Sequence, residues 1–209
     1  MHMQQYLIQM PVASLIFAFK IVTSIYACSN PHLFGRFMLH PYSVSRRHKT
    51  YTVLTSGLIH RDWMHLLFNM LTFYFFGFPL EALLASLSSW GHLQFALIYL
   101  AGLTLSDVTT IFKHKNNISY YSLGASGAIC AVLFSFILCQ PKMMLGIFFI
   151  IPMPAWIFGI LFLAYCWWAA KQAPNGINHD AHFYGAVVGL ALTILFYPGV
   201  INHFIQQFS

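Results

Sequence analysis

Three polar clusters interrupt an otherwise apolar chain, and their side chains are those of acyl-transfer chemistry. Ser126 sits in the run Gly124-Ala125-Ser126-Gly127, at the head of one apolar stretch, and His182 sits at the head of another. A serine hydroxyl is a weak nucleophile until a base takes its proton. A neutral imidazole is the side chain best suited to that exchange near pH 7. His65, Asn69 and Thr72 recur at i, i+4 and i+7, a polar stripe on one face of an apolar helix. His and Asn side chains donate hydrogen bonds to a developing oxyanion, and the Ser126 backbone N–H adds another.

The elements that must position these groups are membrane spans. The chain has 209 residues, is 59% hydrophobic and only 7% charged, and its mean hydropathy is +0.69. A soluble domain carries roughly 25% charged residues, so lipid is the solvent for most of this chain. The length suits one domain, residues 1–209. The expected fold class is all-α: a polytopic bundle of six transmembrane helices, over 6–27, 63–84, 92–112, 126–140, 154–172 and 181–197. Pro154 is expected in the first turn of the fifth, and 143–151 as an extended interfacial connection. The polar stretch 29–49 is too long for a tight turn and should carry its own structure.

Six spans put the second, fourth and sixth starts on one side of the membrane, so His65, Ser126 and His182 converge in depth by parity alone. The fourth span is short. Fourteen residues from Ser126 to Cys139 make about 21 Å of helix, against a hydrocarbon core of about 30 Å. Ser126 should therefore lie roughly 10 Å below one face, at the floor of a wet pit. Ala181, Gly185 and Gly189 recur every four residues, a small-residue stripe that lets helix backbones approach closely. Gly127, Ala128 and Ala131 of the fourth span offer matching small residues.

Other readings are excluded on composition and spacing. The net charge of +6 is carried by loops that flank apolar segments, where charge sets topology, and not by a basic soluble face for nucleic acid. The four cysteines, Cys28, Cys130, Cys139 and Cys166, match no zinc or disulfide framework and read as packing residues. His60 and His65 are five apart, poor for one helical face, and no H-E-x-x-H occurs. No metal and no cofactor is expected. Asp180 precedes His182 by two, and such residues do not share a helix face, so Asp180 reads as a loop or capping group. Asp107 and Glu81 read as helix-end or interhelical hydrogen-bonding groups. The first run lacks the marks of a cleaved signal and reads as a retained span, with Lys20 snorkelling toward an interface.

Taken together, His60-x4-His65-x3-Asn69, Gly124-Ala125-Ser126-Gly127 and Ala181-His182-x2-Gly185-x3-Gly189 make the chain resemble the rhomboid family of intramembrane serine proteases, over nearly its whole length. The resemblance implies Ser126 as nucleophile, His182 as general base, and an oxyanion hole of His65, Asn69 and the Ser126 amide. His60, Gly124, Gly127, Gly185 and Gly189 would be structural motif residues. The fifth span would be a lateral gate, and the loop before the sixth a cap. Transmembrane proteins would be the substrates and the lipid bilayer the surroundings, with a bacterial inner membrane as the expected location. The rival is a catalytically silent relative that binds membrane proteins. Two positions depart from the family pattern: Cys130 stands where a tyrosine often stacks on the catalytic histidine, and Tyr51-Thr52 replaces a Trp-Arg pair.

Overall fold

Apolar runs bounded by prolines and capping residues fold as helices, described in a computed structural model over residues 7–147, 151–172 and 176–209. In chain order they are α1 (Pro11–Cys28), three short helices α2 (Pro31–Phe37), α3 (Pro41–Val44) and α4 (Thr52–Thr55), a 3₁₀ turn (Ser56–Leu58), α5 (Trp63–Leu87), α6 (Gly91–Leu105), α7 (Asp107–His114), α8 (Ser126–Cys139), α9 (Ala155–Ala169), α10 (His179–Phe196) and α11 (Val200–Gln206). Among the described residues four stretches are long and apolar enough to cross a membrane: Pro11–Cys28, Trp63–Leu87, Gly91–His114 and His179–Phe196. Ser126–Cys139 and Ala155–Ala169 are apolar but shorter, so length alone supports four of the six expected spans. Large apolar side chains such as Leu15, Phe68, Leu97, Leu161 and Leu195 face outward, as a lipid-solvated exterior requires.

The chain is mostly helical, yet the all-α expectation needs one correction. β1 (Met144–Ile147) and β2 (Ile151–Pro154) pair antiparallel, with Met144 opposite Pro154. The expected helical start at Pro154 gives way to this strand, and α9 begins one residue later. The reason is local: the Ala155 N–H donates to Met143 O and the Trp156 N–H to Pro141 O. The residues just before β1 thereby supply partners for donors that open a helix and have none within it. Of the sequence expectations, Tyr6, the middle of the 143–151 connection and loop residues Ala173, Pro174 and Asn175 fall outside the described residues.

α8 is the centre of the bundle. Twelve of its 14 residues are buried, as expected of a helix that is apolar all round. Its neighbours come close through small residues. A Cβ on Gly185 would overlap Gly127 O, and one on Gly189 would overlap Ala131 O. Across the other face, a Cβ on Gly102 would overlap the Ala131 side chain. Backbone contact of this kind is the membrane substitute for large interdigitating side chains. The Ser135 hydroxyl then donates to Ala131 O and Gly189 O, joining α8 to α10.

Two buried ionisable residues hold α1 in place. Lys20 does not snorkel. It is 2% exposed, donates through Nζ to Gly57 O at 2.5 Å and lies 5.4 Å from the Tyr99 ring centroid. The carbonyl and the ring face give the ammonium a partner inside the protein, so it need not reach water. Glu81 of α5 accepts the backbone N–H groups of Val12 (3.0 Å) and Ala13 (2.6 Å) and a hydrogen bond from His92 Nδ1 (2.7 Å). α1 opens with Pro11 and has no side-chain cap of its own, so Glu81 caps it from another helix. Glu81→Ala strands two backbone donors and an imidazole, at about 1–3 kcal/mol for each unsatisfied group. We expect a clear loss of thermal stability in detergent, with Glu81→Gln, which keeps one acceptor oxygen, falling between the two.

Candidate active site

The floor of the site is the start of α8. Gly124 has φ +111°, a conformation that disfavours any residue with a Cβ, and its N–H donates to Ser56 O at 2.9 Å. This turn delivers Ser126 as the first residue of α8, half-buried. α8 has no side-chain N-cap. Its first N–H groups and the positive end of its dipole are thus open at Ser126.

Two segments frame that turn. Leu39 and Ser122 exchange backbone hydrogen bonds of 2.8 and 3.0 Å. His40 holds Ile118 O at 2.9 Å through Nε2 and stacks on Tyr121 at 4.4 Å. Arg46 donates to Lys115 O at 2.8 Å. The long first loop is thereby anchored to the connection before Ser126, without the Trp-Arg pair that Tyr51-Thr52 replaces.

His65 lies in the first turn of α5, whose N-cap, Asp62, accepts the His65 N–H at 2.8 Å. That bond, with a second from Arg61, holds the Asp62 carboxyl below its ordinary range. The Arg61 N–H donates to His65 Nδ1 at 3.3 Å. Nδ1 is therefore an acceptor, and the neutral ring carries its proton on Nε2. A Cβ on Gly124 would meet His65 Cε1 and Nε2, so the Nε2–H edge lies against the turn that precedes Ser126. Asn69, one turn along, is 7% exposed, and its Nδ2 has no partner among the described residues. Thr72 is not part of the cluster, since its hydroxyl bonds Phe68 O in its own helix.

His60 sits behind His65, edge to face at 5.1 Å, with Nδ1 2.8 Å from Ser24 Oγ. Ser24 in turn donates to Leu58 O, so it accepts from His60 Nδ1–H. Burial lowers the His60 pKa to about 3, aided by the charges of Lys20 and His65. The unfolded chain takes up this proton near pH 6.5 while the folded chain does not. Stability is thus fully present above that pH and lost as the solution is acidified toward pH 3. The expected contribution is about 1.4 kcal/mol per pH unit, read as a falling melting temperature that flattens in His60→Asn.

α10 brings His182. Its N-cap, Asn178, accepts the Ala181 N–H at 3.1 Å and donates through Nδ2 to Thr110 and Ser122. The close approach of Gly185 to Gly127 then fixes α10 against the Ser126 turn of α8. Phe162 of α9 stacks on the His182 ring at 6.2 Å and 23°, and His179 meets it edge-on at 5.9 Å. Phe162 thus places a ring beside His182, where Cys130 offers none. Among the described residues no hydrogen bond joins Ser126 Oγ to His182; such bonds are often long without substrate and tighten in the complex. Asp180 pairs with Lys113 at 2.7 Å, tying α10 to α7. Behind Ser126 a cavity of about 10 Å³, lined by Ser106, Asp107, Ser122 and Asn178 among others, has room for roughly one water.

Phe162 had no signal in the sequence, because it meets His182 across a helix–helix contact with no fixed spacing, whereas His179 lies three residues before His182 on the same helix. The family comparison covers most of the site. The Rhomboid domain model matches residues 47–199. RHOMBOID-like protein 12, mitochondrial, of Arabidopsis thaliana is 28% identical over 172 residues, which cover 73% of this chain and 49% of that protein. The chain thus spans about half the length of the curated relative it matches. With the motifs and the matched region in agreement, the chain belongs to the rhomboid family.

Proposed function

We propose that the protein is an intramembrane serine endopeptidase that cleaves transmembrane protein substrates with Ser126 as nucleophile and His182 as base. The observation that carries this reading is the meeting of three helix starts. The Ser126 turn of α8 is packed against the His65 ring on one side and against α10, which bears His182, on the other. In this reading α8 and α9 complete six crossings, α9 is the lateral gate, and the segment before α10 covers the pit.

The chemistry follows from the groups present. Ser126 Oγ attacks the scissile carbonyl while His182 takes the hydroxyl proton and passes it to the leaving amine. The negative oxygen is met by the His65 Nε2–H, the Asn69 amide and the Ser126 N–H. His182 then deprotonates a water, which releases the acyl group. No cofactor enters these steps. The relative's name is mitochondrial, so the bacterial inner membrane is not carried forward, and the location proposed is an integral, multi-pass membrane protein.

A fluorophosphonate probe tests the nucleophile directly. Wild-type protein in detergent should be labelled, and Ser126→Ala should not. Absence of labelling in folded wild type would favour the silent, substrate-binding alternative.

A further inference from the structure

Cys166 of α9 and His179 of α10, which the hydrolytic reading does not use, cluster with His182, the proposed base. Their ligand atoms all lie within 4.8 Å of one another. Cys166 is fully buried, His179 is 5% exposed and His182 is partly exposed. His179 and His182 are three apart on one helix, so both rings project from the same face. Tyr165 packs edge-on against His179 at 5.4 Å, and Phe162 stacks on His182, which holds the cysteine-bearing helix against both.

We infer that Cys166, His179 and His182 form a binding site for a thiophilic divalent cation of the zinc class. A tetrahedral ion with bonds of about 2.1 Å to nitrogen and 2.3 Å to sulfur places its ligand atoms roughly 3.4–3.6 Å apart. Side-chain rotation of about 1 Å therefore closes the present cluster around an ion, and a solvent oxygen fills the fourth position. Two neutral imidazoles and one thiolate are the ligands that zinc and cobalt favour. On binding, the Cys166 S–H bond breaks, the S–metal bond forms and one proton leaves to solvent, with no change of oxidation state.

The consequence rests on the proteolytic reading. An ion on His182 occupies the lone pair that must accept the Ser126 proton, and it also ties α9, the proposed gate, to α10. The cation is then a reversible inhibitor, distinct from any catalytic metal. The sequence hid this site because Cys166 and His179 lie 13 residues apart on different helices, with no spacing signature.

The test uses the full chain in detergent, stripped with chelator and carrying Cys28→Ser to remove the exposed thiol. Cobalt alone is titrated first. We expect one ion per chain, a thiolate-to-cobalt charge-transfer band, and displacement of that band by zinc. Cys166→Ala should abolish the band and His179→Ala should weaken binding at least tenfold, with Cys166→Ala still labelled by fluorophosphonate in the absence of metal. Zinc should reduce wild-type labelling at least tenfold, chelator should restore it, and Cys166→Ala should be insensitive. Cys166→Ser, which keeps the side-chain volume, guards against misfolding of the alanine variant and should also lose the band. No band in folded protein, or an unchanged band in both Cys166 variants, overturns the site. A band in wild type without any fluorophosphonate labelling supports the site and rejects the protease reading instead.

Discussion

Ser126→Ala and His182→Ala each bring cleavage of a single-span reporter to background, and the double variant is no slower than either. A base without its nucleophile has nothing to deprotonate, so the two act as one unit and their effects do not add. The expected loss is about 10⁴-fold or more in kcat. The serine variant should fold normally. Its hydroxyl makes no hydrogen bond among the described residues, and α8 has no side-chain cap to lose. Thermal unfolding in detergent therefore separates lost chemistry from lost structure. Substantial cleavage by a folded Ser126→Ala protein would reject the assignment.

Asn69→Ala slows cleavage by about 10²–10³-fold, the usual cost of one oxyanion donor, without a matching loss of stability. The distinction comes from the unpartnered Nδ2. A buried donor with no acceptor costs about 1–3 kcal/mol in the resting protein, and alanine removes that penalty while leaving a small void. A donor kept for structure would behave oppositely, losing stability first. His65→Ala should cost a similar factor, since its Nε2–H faces the same turn. Gly124→Ala should be worse than either, because the new Cβ both enters a positive-φ position and meets the His65 ring. Wild-type rates in Asn69→Ala, His65→Ala and their double variant would place the oxyanion donors elsewhere.

Much of this was legible in the chain because membrane helices advertise themselves. Apolar length marks four of the six expected spans, and the motifs around His65, Ser126 and His182 mark the family. The four-residue recurrence of Ala181, Gly185 and Gly189 announces a close helix contact before any partner is known. These features are local in sequence, since backbone hydrogen bonding in lipid is satisfied within each helix.

What the chain did not disclose is which side chains meet across those helices. Lys20 reads as a snorkelling cation, yet a carbonyl at Gly57 and the face of Tyr99 hold it inside. Pro154 reads as a helix start, yet pairing with Met144 makes it the end of a strand. Cys130 leaves the His182 imidazole without the expected ring, and Phe162 of another helix lies against it. Sequence alone marked the four long apolar helices and the family motifs, because helix period and hydropathy are properties of neighbours along the chain. Tertiary structure alone decided what stacks on His182, what caps α1 and how the long loop is moored, because those contacts join residues tens of positions apart with no periodicity to reveal them.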